Sequence, residues 1–142
     1  MHKCSDVMTK ELVCCVSDDV VSKAAQMMEK EDIGPVLIVD NKENNKLVGI
    51  VTDRDLALKV VGRERDTKNT KLGDVMTSNV ITCHEDDDLE TALNAMEENQ
   101  LRRIPVVDYN GCLVGIISQA DVATRVGDPQ KTADVVKEIS QP

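Results

Sequence analysis

Leu47-Val48-Gly49-Ile50-Val51-Thr52-Asp53-Arg54-Asp55 returns 66 residues later as Leu113-Val114-Gly115-Ile116-Ile117-Ser118-Gln119-Ala120-Asp121. Each version is an apolar run that ends on a hydroxyl residue, with a carboxylate three positions further on. Working outward, Asp6-Val7-Met8-Thr9 returns 68 residues on as Asp74-Val75-Met76-Thr77. The two offsets differ by two, which places a two-residue excess of the first copy in the turn at 41–46. Self-similarity over nearly the whole chain decides the architecture: one supersecondary unit is made twice.

The spacing within each copy gives the unit. Residues 12–16 and 80–83 are short apolar stretches. Ser17-Asp18-Asp19 and Glu85-Asp86-Asp87-Asp88 follow them, and their charge predicts N-caps at the positive end of a helix. Val21, Ala24, Ala25 and Met28, and then Leu89, Ala92, Leu93 and Met96, fall at i, i+3, i+4 and i+7, a helical stripe. The continuous apolar runs 36–39 and 104–107, closed by Asp40 and Asp108, read as buried strands. A turn follows at 41–46 or 109–112, then a strand from Leu47 or Leu113, and a helix opens near Asp55 or Asp121.

The chain therefore reads as α/β (α+β), two β-α-β-β-α repeats packed as a pseudo-two-fold pair. The first repeat occupies 1–65, a polar linker 66–71 and the second repeat 72–128. Residues 129–142 form a C-terminal capping helix in this reading, because Lys131-Thr132-Ala133-Asp134-Val135-Val136 echoes Lys71-Leu72-Gly73-Asp74-Val75-Met76. A frayed amphipathic tail is the alternative.

Composition narrows the function. The 142 residues are 41% hydrophobic with one Tyr and no Trp or Phe, so the core must be Val, Ile, Leu, Met and Ala. The Met residues fall mostly at helix-core or lead-in positions and read as packing. A net charge of −9 argues against nucleic acid and anionic lipid, both of which need clustered Lys and Arg. No apolar run is long enough for a bilayer and no signal segment is seen. Five Cys without framework spacing fit a reducing compartment. The expectation is a soluble cytoplasmic protein.

In the repeated motif the Gly permits close approach of another backbone. The hydroxyl can cap the helix or bind an anion beside its free N–H groups. The carboxylate one turn on can accept two hydrogen bonds from a vicinal diol, each worth about 1.5–3 kcal/mol. The plain structural reading is a Thr or Ser N-cap with an acidic first turn.

Two β-α-β-β-α copies with Asp-Val-Met-Thr openings, the Arg103-Ile104-Pro105-Val106-Val107-Asp108 strand and the Gly-x-x-Thr/Ser-x-x-Asp ending resemble a tandem pair of CBS domains, a Bateman module of the stand-alone bacterial type. The resemblance covers residues 5–126. It implies adenosyl ligands (AMP, ADP, ATP, sometimes S-adenosylmethionine) in two clefts between the copies, with the Asp on the ribose. Carried over, one cleft uses Thr52 and Asp55 with Val80, Ile81, Arg102, Arg103, Ile104 and Pro105. The other uses Ser118 and Asp121 with Leu12, Val13, Ile33, Gly34 and Pro35. Arg102-Arg103 supplies phosphate-binding charge to the first, since guanidinium pairs bidentately with phosphate. The second cleft has Gly34-Pro35 there and Leu37 in place of the usual strand Pro, so it is expected to bind weakly, to bind an uncharged nucleoside part, or to stay empty. The resemblance also implies a disc-like homodimer that signals to an unknown protein partner. A ligand-free dimeric interaction protein, with the Asp motifs only as caps, is the rival.

Other constellations rank lower. Cys14-Cys15, Cys83 and His84 lack metal-ligand spacing, and Cys4 and Cys112 have no helpful neighbour. Glu85–Asp88 is read as a helix start rather than a cation site. No nucleophile has a local base, so no catalytic residue and no resident cofactor is expected.

Overall fold

The computed structural model describes residues 2–125. The candidate capping helix at 129–142 lies outside them. The chain divides into two compact units, Val13–Val80 and a second that joins the residues up to Leu12 to the chain from Ile81 onward. These units do not follow the sequence repeats, and the reason is the lead-in segment of each repeat.

In the first unit, β1 (Cys14–Val16) runs parallel to β2 (Val36–Val39), joined by α2 (Val21–Glu31); β3 (Leu47–Val51) pairs antiparallel to β2. A parallel pair needs a crossover, and the amphipathic helix supplies it. In the second unit, β4 (Cys83–His84), α4 (Leu89–Glu98), β5 (Arg103–Val107) and β6 (Leu113–Ser118) repeat that order and pairing. Both central strands carry a register shift at equivalent places, Ile38/Val39 and Val106/Val107. After β3 comes α3 (Asp53–Leu56), continued by a π turn over Ala57–Val61; after β6 comes α5 (Gln119–Arg125). A short α1 (Cys4–Val7) opens the chain.

The lead-in segments explain the exchange. Thr77, from the opening of the second repeat, pairs with Ile50 of β3 through two 2.9 Å hydrogen bonds. Thr9, from the opening of the first, pairs with Ile116 of β6 at 2.8 and 3.0 Å. The methionines beside them fill the space over the motif glycines. A side-chain carbon on Gly49 would lie 2.5 Å from Sδ of Met76, and one on Gly115 2.5 Å from Sδ of Met8. The approach is made by a thioether rather than by the backbone expected; a backbone atom, the Thr77 carbonyl, is among the three nearest only at Gly49. Asp-Val-Met-Thr recurs because each copy's Met and Thr complete the sheet of the other copy's unit.

The sheets bury two separate clusters. One centres on Val21, Ala24, Val36, Ile38, Val51 and Leu72, the other on Ala92, Leu93, Met96, Ile104 and Ile117. Leu89, Ala92, Leu93 and Met96 are all buried as the stripe predicts. In α2 the stripe is only half used: Val21 and Ala24 are buried, Met28 is half-buried and Ala25 is exposed.

The acidic runs do not cap helices in the expected way. The N-cap residues are Val20 and Asp88, and neither side chain caps. Instead Asp19 accepts from the backbone N–H of Val16, and Asp87 from that of His84, both at 2.9 Å. The carboxylates satisfy amides at the strand ends, where the chain leaves the ladder, and so fix the strand-to-helix bend. Asp40 and Asp108 do similar work in the hairpins. Oδ1 of Asp40 takes the N–H groups of Asn41 and Lys46, and Oδ1 of Asp108 those of Asn110 and Cys112. The left-handed turn residue is Asn45 in the long hairpin and Gly111 in the short one.

The missing proline has a structural account. Pro105 sits on the central strand of its sheet, where a residue without N–H weakens a ladder. β4 is short, and its pairing begins only at Val106. In the first unit β1 begins one residue earlier, with Cys14 opposite Leu37. Leu37 accompanies the longer ladder and Pro105 the shorter.

Candidate functional site

Each unit ends its third strand in the same corner. Thr52 is the N-cap of α3: its Oγ1 accepts from the Asp55 N–H at 3.1 Å, while Asp55 Oδ2 accepts from the Thr52 N–H at 2.9 Å. Ser118 and Asp121 repeat this, with 3.2 Å from the Asp121 N–H to Ser118 Oγ and 3.0 Å from the Ser118 N–H to Asp121 Oδ2. Both are reciprocal capping boxes that close two helix-start amides. The hydroxyls and carboxylates are half-buried, so each corner is rigid yet open to solvent.

Thr52 Oγ1 also donates to Asp55 Oδ2 at 3.1 Å. Asp55 Oδ1 pairs with Nζ of Lys59 at 3.3 Å, and that Nζ donates to the Val75 carbonyl at 3.1 Å. Lys59 was not among the residues singled out from the sequence. Its position four after Asp55, the spacing of a helical ion pair, is the signal that points to it.

The strand beside each corner differs. In the first unit the Asp53 N–H donates to the Gly34 carbonyl at 3.2 Å, which sets Gly34 next to Thr52-Asp53; Ile33 and Pro35 flank it, half-buried. In the second unit the Gln119 N–H donates to the Arg102 carbonyl at 3.2 Å, and Arg103 stands opposite Ser118 in the β5–β6 register. Both arginines are exposed, and among the described residues neither side chain forms a hydrogen bond or ion pair. Of the sequence candidates, Thr52, Asp55, Val13, Ile33, Gly34, Pro35 and Val80 belong to the first unit. Leu12, Ile81, Arg102, Arg103, Ile104, Pro105, Ser118 and Asp121 belong to the second. Ile104 is fully buried in the core cluster and Pro105 is buried, so their side chains serve packing. Leu12, Val13 and Val80 are half-buried and Ile81 is exposed, all outside the strands they precede.

Among the described residues no three His, Cys, Asp or Glu side chains gather as metal ligands. His84 packs against Tyr109 with ring centroids 4.9 Å apart and planes tilted by 43°, and among the described residues its buried Nδ1 has no hydrogen-bond partner. The five cysteines are free thiols. A hydrogen bond with Cys4, followed by burial, pushes the Cys83 thiol well above the ordinary cysteine range. No helix among the described residues is long and apolar enough to cross a membrane.

The CBS domain family matches residues 4–62 and again 72–128. Inosine-5'-monophosphate dehydrogenase of Methanocaldococcus jannaschii is 36% identical over 94% of the chain, but the match spans only 25% of that enzyme. The YlbB protein of Bacillus subtilis is 34% identical over 99% of the chain and 93% of its own length. Among solved structures, the CBS domain pair of protein MJ0100, in complex with 5'-methylthioadenosine and S-adenosyl-L-methionine, superposes with a TM-score of 0.70 at 29% identity, covering 89% of this chain and 97% of that one. The CBS pair is a ligand-binding regulatory module without catalytic activity of its own. The chain belongs to the CBS domain family and carries two CBS domains in tandem.

Proposed function

We propose that the protein is an adenine-nucleotide sensor of the AMP, ADP and ATP class, in which the two Thr/Ser-x-x-Asp corners hold ribose and Arg102-Arg103 hold phosphate. The observation that carries the reading is the recurrence of one half-buried corner at the same point of both units, beside a strand that opens on two unpaired guanidiniums in the second. Guanidinium donors form a fork that matches phosphate oxygens. Leu12, Val13, Ile33, Gly34 and Pro35, and Val80 and Ile81, supply apolar edges suited to a purine face. The S-adenosylmethionine and methylthioadenosine held by a related CBS pair support an adenosyl ligand. In this reading the chain works as a homodimer, and a protein partner reads the arrangement that the ligand favours. Signalling needs unequal affinity for two arrangements, because equal binding shifts nothing.

A second reading, a ligand-free interaction protein, has its own support: both corners are closed capping boxes that need no ligand. Calorimetry with AMP, ADP, ATP and S-adenosylmethionine decides between them. Micromolar binding of a phosphate-bearing ligand, weakened about tenfold or more by Arg102→Ala with Arg103→Ala, supports the sensor. Absence of heat from all four at millimolar concentration selects the scaffold.

A further inference from the structure

Asp55 is more heavily engaged than a carboxylate standing open for a diol. Oδ2 takes two donors from Thr52, the backbone N–H at 2.9 Å and the hydroxyl at 3.1 Å. Oδ1 faces the Lys59 ammonium at 3.3 Å. Each carboxylate oxygen offers two lone-pair directions. Oδ2 is therefore filled, and Oδ1 keeps one. A ribose diol brings two O–H donors, so one of them must replace a donor already present. The Thr52 N–H bond belongs to the capping box that starts α3, and breaking it leaves a helix-start amide open; the Thr52 hydroxyl is held beside Oδ2 because the same Oγ1 accepts from the Asp55 N–H. Lys59 is the replaceable donor.

Its geometry fits that role. Lys59 lies in the π turn Ala57–Val61, a helix irregularity common at functional sites. Its ammonium has a second anchor, the Val75 carbonyl at 3.1 Å, so it is held at Asp55 rather than sampling solvent. The side chains of Lys59 and Asp55 are 33% and 17% exposed, which leaves the pair only partly screened. We infer that Lys59 is a specificity-determining residue of this corner, an internal cation on Asp55 that a vicinal diol must displace and a single hydroxyl need not. The inference rests on the reading of Thr52 and Asp55 as a ribose site. It pairs the Asp55 charge from within the chain, and it sets a threshold that only a ligand with both hydroxyls has reason to cross.

The test is calorimetry with adenosine and 2'-deoxyadenosine, which carry no phosphate for the lysine to attract. Wild type, Lys59→Met, Lys59→Arg and Asp55→Ala are compared. Lys59→Met is expected to tighten adenosine about two- to fivefold, the range that coupling in a part-exposed ion pair implies. 2'-Deoxyadenosine should gain little, and Lys59→Arg, which keeps a cation in reach, should stay near wild type. Unchanged or weaker adenosine binding by Lys59→Met, or an equal gain for both nucleosides, overturns the role of Lys59. Asp55→Ala separates the two claims. If it binds adenosine as wild type does, the corner holds no ribose and both fall. If it loses binding while Lys59→Met changes nothing, only the inference about Lys59 falls.

Discussion

Helix α4 buries its whole apolar stripe, whereas α2 buries half of the equivalent one. Leu93 is 2% exposed and Met96 0%, while their counterparts Ala25 and Met28 are exposed and half-buried. In the first unit's corner Lys59, set in a π turn, pairs with Asp55 and also donates to the Val75 carbonyl. The second unit has the fully buried helix stripe and two exposed arginines, Arg102 and Arg103, that form no ion pair among the described residues. Duplication thus supplied one scaffold twice, and the copies diverged in how much of the surface around it they bury and in what charge they leave there.

The packing side of this comparison has the largest expected effect. Met96→Ala removes a fully buried side chain and should cost about 2–5 kcal/mol by urea denaturation. Met28→Ala, at the equivalent place, should cost less than half as much. Equal losses would mean that the two helices share the burden evenly and that the half-buried state of Met28 misstates its packing.

The ligand side follows. If Arg102 and Arg103 serve the Thr52–Asp55 corner, as the family pairing implies, Asp55→Ala should cost AMP about 1.5–3 kcal/mol, roughly ten- to a hundredfold in affinity. Asp121→Ala should then cost clearly less. A double-mutant cycle sharpens the point, since coupling to Arg102→Ala should appear with Asp55 and be small with Asp121. The register that sets Arg103 opposite Ser118 is the reason to run both arms. Coupling to Asp121 alone would assign the arginines to the corner of their own unit.

Next come the glycines. Gly49→Val should destabilise by about 1–3 kcal/mol, because an added carbon meets Met76 and also the Thr77 carbonyl at 3.0 Å. At Gly115 the three nearest atoms are Sδ, Cγ and Cβ of Met8; the first two can rotate away, and Cβ, at 3.0 Å, moves only with its backbone. Gly115→Val should cost somewhat less than Gly49→Val, measured as the shift in thermal midpoint, because the fixed atom at Gly49 is a carbonyl of the Thr77–Ile50 bridge and that at Gly115 is a methylene outside the Thr9–Ile116 bridge. The reverse order would show that the Thr77–Ile50 bridge yields more readily than the methionine.

The repeat, the strand order and the paired corners were legible in the sequence because hydrophobic period and turn residues are local signals. Val36 to Val39 and Ile104 to Val107 could be read as buried strands without any knowledge of what covers them. The exchange of lead-in segments was not legible. Asp-Val-Met-Thr shows that Met8 and Met76 are equivalent, but nothing local says that Met8 covers Gly115 and not Gly49. The acidic runs misled for a related reason. An aspartate before a helix caps it or turns back to the strand, and the choice between Asp19 on Val16 and a helix cap depends on where the ladder ends. The spacing from Asp55 marks Lys59, but its second partner, Val75, lies beyond the linker and no local signal reaches it.

The smallest effect compares equivalent thiols. Cys15 and Cys83 occupy matching strand positions, and both are buried. Burial, followed by the charge of Asp19, raises the Cys15 thiol, whereas Cys83 is raised first by its hydrogen bond with Cys4. Raised thiols carry little thiolate near neutral pH, and thiolate is the form that alkylates. Cys14 and Cys112, both part-exposed, should react first with iodoacetamide. Cys15 and Cys83 should follow about tenfold or more slowly. Cys4 is the informative residue. It is fully buried on α1, a helix of four residues held by the bonds of the Cys4 and Ser5 N–H groups to the Asp87 and Glu85 carbonyls at 2.9 and 3.0 Å. Local opening of so short an element exposes the thiol without unfolding the sheet. If Cys4 and Cys83 label together and late, the exchanged lead-in segment is as firmly held as the strand beneath it. If Cys4 labels early, alongside Cys14, the lead-in of the first repeat detaches on its own, and completion of the second sheet by Met8 and Thr9 is a reversible docking.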